Sequence, residues 1–178
     1  MVPEAQMEDS PGGRKPAGEG WFVVNARDAA WIHNEKFGAG VTFEGTPHFP
    51  HYGINIQVLW PGQPNCYYHA EEAQEDFLVL SGECLLLVEG QERRLGAWDF
   101  VHCPPMTAHT FVATETGPCV ILAAGNRRDD LERVYRRSEL ALRYEAGSDV
   151  DTENPERRGT WEVRRPARWD ELPWAERP

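Results

Sequence analysis

Short apolar runs alternate with turn chemistry along most of the chain. Phe22-Val23-Val24 comes first, followed by a less regular stretch that holds Trp31 and Phe37. Ile54-Asn55-Ile56-Gln57-Val58 alternates with period two, as a half-buried strand does, and Pro61-Gly62-Gln63-Pro64 stops it. Further runs are Cys66–His69, Phe77–Leu80, Cys84–Val88, Trp98–Cys103, His109–Ala113 and Cys119–Ala124. Ser81-Gly82, Glu89–Glu92, Pro104-Pro105 and Thr116–Pro118 break between them. Short strands at this spacing predict an all-β sandwich or barrel. Phe77–Leu80 and Cys84–Val88 are apolar at every position, so both faces should be covered. One face lines the barrel and the other meets a second layer or a partner subunit.

The ends of the chain have another character. Residues 1–20 are rich in Pro, Gly and charge without periodicity, which predicts a disordered N-terminal tail before a barrel over 21–125. In the C-terminal extension, 126–178, Ser138 is placed to cap a short helix over Glu139–Ala146, ended by Gly147. Residues 148–178 carry Trp161, Trp169 and Trp174, too many for a disordered tail, and are expected to wrap over the barrel or a neighbouring subunit.

Charge narrows the partners. The 178 residues carry a formal net charge of -11, and the arginine pairs are scattered among acids, which disfavours nucleic acid. No apolar run reaches the length of a membrane span, and the start MVPEAQMEDSPGG lacks the apolar segment of a secretory signal. Cys66, Cys84, Cys103 and Cys119 show no C-x-x-C spacing, which suits a reducing, cytoplasmic setting.

The stretch YYHAEEAQED supplies the chemistry. His69 and Glu71 are two apart and share a strand face, and a turn through Glu72–Gln74 returns Glu75 beside them. Glu75 then shares parity with Phe77 and Val79, toward the interior, while Glu72 and Asp76 face water. Pro104–His109 brings a second histidine to the start of another apolar strand. Inward polar groups are costly unless paired or ligating, and two imidazoles with one or two carboxylates suit a divalent transition metal. His102, in parity with Phe100, reads as a satisfied core or pocket histidine, and His33, His48 and His51 as loop residues. Tyr67, Cys84 and Cys103 read as packing, and Trp60 and Trp98 as core or subunit-contact aromatics.

At these residues the sequence resembles a cupin. Gly62, His69, Glu71, Glu75 and Gly82 follow the first cupin motif, with Glu71 where the family has its second histidine. The second motif falls on Trp98, Pro104, Met106, His109 and Ala113, of which Pro104 and His109 keep the family type. Loss of the motif glycines at Trp98 and Met106 requires those turns to avoid positive φ or to carry strain. The resemblance covers about Ile54 to Ala124. It implies a double-stranded β-helix (jelly roll), often a homodimer, with one divalent transition metal (Fe, Mn, Zn or Ni) per chain in the barrel mouth. The ligand set it implies is His69, Glu75 and His109, with Glu71 as fourth ligand or as catalytic base. A dioxygenase or isomerase acting on a small organic molecule follows; the alternative is a non-catalytic small-molecule-binding or sensor cupin.

Overall fold

Turn residues set the strand boundaries, and antiparallel pairing does the rest. A computed structural model describes residues 1–46, 48–127, 130–153 and 163–174. Among these residues the strands are β1 (Gln6–Ser10), β2 (Gly13–Ala17), β3 (Ile32–Asn34), β4 (Gly38–Val41), β5 (Tyr52–Leu59), β6 (Ala70–Glu71) and β7 (Glu75–Ser81). They continue as β8 (Glu83–Val88), β9 (Gln91–Gly96), β10 (Phe100–Cys103), β11 (His109–Ala113), β12 (Cys119–Asn126), β13 (Arg133–Val134) and β14 (Arg164–Pro166). A helix, α1 (Glu139–Leu142), lies between β13 and β14, and a 3-10 turn covers Trp169–Glu171.

A seven-stranded sheet in the order β10-β7-β12-β5-β4-β3-β14 faces a three-stranded sheet, β11-β8-β9. The interior between them holds Phe77, Val79, Cys84, Leu86, Phe111 and Ile121, the inward positions of their strands. This is the expected all-β jelly roll. The outward positions are covered by the chain itself. Trp31, Val41, Val58, Val120, Ala167 and Leu172 form a second buried cluster outside the large sheet. Leu87, Val112, Tyr68, Ala141 and Ala146 form a third outside the small one. The apolar runs are therefore double-faced because the segment around Trp31 and β4, together with the C-terminal extension, supplies the second layer.

Several elements differ from expectation. Residues 6–17 form the β1–β2 hairpin instead of a disordered tail. Backbone bonds sew that hairpin to the segment before β3, with Arg14 donating to Asp28 O and Trp31 to Gly12 O. Pairing of this kind leaves no hydrophobic signal in the composition. Phe22–Val24 is not a strand, whereas β3, β4 and the charged β9 are. His33 accordingly lies in β3, not in a loop. The Ser138 cap is present, accepting from Ala141 N at 3.2 Å, but α1 stops at Leu142. Glu145, not Gly147, takes the left-handed conformation after it (φ 55°). Trp169 and Trp174 stack with ring centres 3.7 Å apart and meet Trp31 edge-on at 5.9 and 5.8 Å, so this part of the tail packs on Trp31. Trp161 lies outside the described residues.

The period-two strand β5 has its polar side turned inward. Leu59 is interior, and by parity so are Asn55 and Gln57, which line a cavity at one end of the barrel. Ile56 and Val58 pack outward under Trp31. The alternation is real, but its polar face meets the cavity instead of bulk water.

Candidate metal centre

Two residues paired across strands fix the geometry. His69 and His109 form an isolated antiparallel bridge, with His109 N donating to His69 O at 2.9 Å and His69 N to His109 O at 3.2 Å. The pairing places both imidazoles on one side, ring centres 5.4 Å apart. Glu71, in β6, follows two residues after His69. Its backbone carbonyl accepts from Met106 N at 2.7 Å, which ties the two motif loops together. Glu75 opens β7 opposite Cys103 and Gly125. Its Oε2 lies 3.6 Å from His109 Nε2, and Glu71 Oε2 lies 3.9 Å from His69 Nε2. Ligand atoms of His69, Glu71 and Glu75 all fall within 4.8 Å of one another. The four residues singled out in the sequence converge on one cavity.

Each imidazole is held in a defined tautomer. His69 Nδ1 lies 2.8 Å from Tyr67 O and His109 Nδ1 lies 2.9 Å from Thr107 O. A carbonyl can only accept, so Nδ1 carries the proton and Nε2 keeps its lone pair for the cavity. Burial and the facing His109 push the His69 pKa down to about 3, and burial lowers that of His109. Both rings are neutral at pH 7, the form that ligates. Burial, followed by the neighbouring Glu71, raises Glu75 to about 7. Burial pushes the Cys66 thiol up to about 12, so this cavity residue is a neutral neighbour rather than a thiolate ligand.

Glu71 is partnered differently. Arg133 Nε and Nη2 donate to its Oε2 at 2.7 and 2.5 Å, while Oε1 accepts no hydrogen bond among the described residues. The strand pair β6–β13, with Arg133 opposite Glu71, makes this contact. Tyr135, two residues on in sequence, packs its ring 5.7 Å from that of His69.

Arg133 and Tyr135 in the C-terminal extension escaped the sequence reading, as did the amides Asn55, Gln57 and Asn65. The only hint for the amides was the polar phase of β5. Asn65 Oδ1 accepts from Phe111 N at 2.9 Å, and its Nδ2 donates to Gln57 Oε1 at 3.0 Å, so one amide orients the next. His102 is not in the pocket: it is half exposed, on the outer face, 2.6 Å from Asp76 Oδ1. Tyr67 packs on Phe37 and Tyr135, as expected of a strand-side tyrosine. His48 is exposed and bonds the buried Glu44 at 3.0 Å, away from the cavity.

Residues 55–125 match the family model of the cupin domain. This segment is a cupin domain. No curated protein matches this chain. Among solved structures it resembles KdgF from Halomonas sp., at 26% identity over 63% of this chain and 98% of that one, TM-score 0.51. It also resembles the polyketide cyclase RemF from Streptomyces resistomycificus, at 17% identity over 62% and 84%, TM-score 0.53. A protein described as a sugar phosphate isomerase from Acidithiobacillus ferrooxidans is 27% identical, with a TM-score of 0.47. That match covers 55% of this chain and 64% of the other, slightly under two thirds of its length. Among the described residues no helix is long and apolar enough to cross a membrane.

Proposed function

We propose that this cupin binds one divalent transition metal per chain through His69, Glu75 and His109 and catalyses a proton transfer on a small polar substrate. The observation that carries the reading is the pair of fixed tautomers. Both Nδ1–H groups are spent on backbone carbonyls, and both Nε2 lone pairs are left facing carboxylates, His109 beside Glu75 and His69 beside Glu71, with Glu75 within 4.8 Å. Backbone-oriented imidazoles next to a carboxylate are a donor set that fits Fe, Mn, Zn or Ni. When bound, the ion supplies a Lewis acid that polarises a substrate oxygen.

The chain's own residues do the rest. Arg133 holds one oxygen of Glu71 and leaves the other for a substrate proton, which suits a general base better than a fourth ligand. Asn55, Gln57 and Asn65 offer hydrogen bonds to hydroxyl or carbonyl groups. A wall of amides and a held carboxylate supports isomerase-type proton transfer over oxygen activation. The cavity is about 250 Å³, just under the ~300–1,000 Å³ of ligand pockets, so the substrate is small. Four free cysteines support the cytoplasmic setting. Exposed Trp98 and Phe100 beside the edge strand support the homodimer, which light scattering measures directly.

The test is exchange of substrate C–H with deuterium from solvent, followed by NMR on a panel of small hydroxy-carbonyl compounds with the metal-loaded protein. Exchange that is lost in Glu71→Gln at unchanged metal content is the expected result. Oxygen consumption without exchange, or ligand binding without any turnover, overturns it in favour of an oxygenase or a sensor.

A further inference from the structure

The cavity also contains a cation that nothing in the metal reading uses. Two arginines line it, Arg133 and Arg164. Arg133 is committed to Glu71. Arg164 makes no ion pair among the described residues, although its neighbour Arg165 reaches Glu35 at 3.7 Å and Arg127 is clamped on Glu44 at 2.8 Å. In a chain of net charge -11, a cation without a carboxylate partner at a cavity wall is conspicuous. The two carboxylates of the cavity balance its two guanidiniums, so a bound divalent ion would leave the cavity net positive.

The position of Arg164 is built by the tail. β14 pairs with β3, setting Arg164 opposite Asn34, a second cavity residue. Ala167 N donates to Trp31 O at 3.0 Å, and the Trp169–Trp174 stack locks on Trp31 just beyond. The aromatic clamp therefore sets Arg164, an exposed residue from outside the matched segment 55–125, at the rim of the cavity. On another wall, Asn55 Oδ1 is buried with no hydrogen-bond partner. That oxygen is closed off from the cavity, so the amide that faces a ligand on this wall is Gln57, oriented by Asn65 Nδ2 at 3.0 Å.

We infer that the cavity takes a small polyhydroxylated anion, with Arg164 binding its carboxylate or phosphate and the Gln57 amide meeting a hydroxyl. The inference rests on the proposed function for the orientation of the substrate, but its test is binding, not turnover. Three matched probes separate the chemistry: D-gluconate, D-sorbitol 6-phosphate and uncharged D-sorbitol. Calorimetric titration of the full chain, with and without metal, should show at least one anion binding tenfold or more tighter than sorbitol. Whichever anion is preferred identifies the head group.

Arg164→Gln should reduce that preference about tenfold to a hundredfold, the usual worth of a charge-assisted bond, and leave sorbitol binding and metal content unchanged. Arg164→Lys should restore part of it, because lysine keeps the charge but not the planar fork. Gln57→Ala should weaken all probes that bind alike. Anions that bind no tighter than sorbitol, or an Arg164→Gln protein that keeps the preference, overturn the inference. Failure of the metal reading gives a different pattern: no metal uptake, with an Arg164-dependent preference persisting in the metal-free protein.

Discussion

Three turns in this protein share one backbone design, and only one of them has the residue that design favours. Trp60-Pro61-Gly62-Gln63 closes with Gln63 N donating to Trp60 O at 3.0 Å, and Gly62 has φ 76°. Gly96-Ala97-Trp98-Asp99 closes with Asp99 N on Gly96 O at 3.1 Å, and Trp98 has φ 75°. Pro104-Pro105-Met106-Thr107 closes the same way at 3.1 Å, with Met106 at φ 67°. This is the pattern of a type II turn, whose third residue needs positive φ. Tryptophan at that position carries a backbone cost of roughly 1–2 kcal/mol. Trp98 is 74% exposed, so packing recovers little of it.

Replacing Trp98 by alanine and by glycine separates backbone from side chain. Both variants lose the same indole contacts, but only glycine relieves the strain. Glycine also restores roughly 0.4–1 kcal/mol of freedom to the unfolded chain, which offsets part of the gain. Trp98→Gly should therefore be more stable than Trp98→Ala by about 1 kcal/mol. At an ordinary strand or helix position the sign is reversed, with glycine worse by roughly 0.5–1 kcal/mol. Urea unfolding followed by far-ultraviolet circular dichroism avoids the change in tryptophan signal. An alanine variant equal to or more stable than the glycine variant refutes the strain argument. The Met106 pair should behave alike, with the difference that Met106→Gly also loosens the loop bonded to Glu71 O.

Further outcomes follow from the site and its cover. Metal affinity should fall about tenfold per pH unit below 7 and level off above, because Glu75, held up to about 7, must lose its proton to ligate. His69, held down to about 3, contributes no proton in titrations between pH 5.5 and 8.5, and burial lowers His109. Proton release on binding should therefore come mainly from Glu75 and fade toward none above pH 7. Arg133→Met should cost about 1–2 kcal/mol, discounted for the guanidinium's partial exposure, and cut turnover more than tenfold; thermal melts and exchange rates check the two parts. Trp174→Ala should cost about 2 kcal/mol and release β14, read as faster hydrogen exchange at the Ala167 amide that bonds Trp31 O.

The sequence made the barrel and its four candidate ligands legible for one reason: strand parity and motif spacing are local. His69, Glu71, Glu75 and Phe77 follow from counting by twos across a turn, and Pro104 announces His109. Residues that reach the cavity from distant segments had no such signal. Arg133 lies 62 positions after Glu71 in the chain, and only the β6–β13 pairing reveals the contact. Asn55 and Gln57 were visible as the polar phase of β5, but periodicity does not distinguish a cavity from solvent. The charged β9 looked like a loop because it needs no apolar face of its own when Arg93 and Arg94 simply pair with Leu86 and Leu85 of β8. The β1–β2 hairpin was hidden for the same reason.

The central claim is that His69, Glu75 and His109 hold one metal ion and that Glu71 is not needed to hold it. Protein stripped with chelator and then offered Fe, Mn, Ni and Zn separately should take up one equivalent of at least one of them, measured by mass spectrometry of the desalted protein. His69→Ala, His109→Ala and Glu75→Gln should each abolish that uptake, while Glu71→Gln retains it. A wild-type chain that takes up none of the four ions contradicts the account.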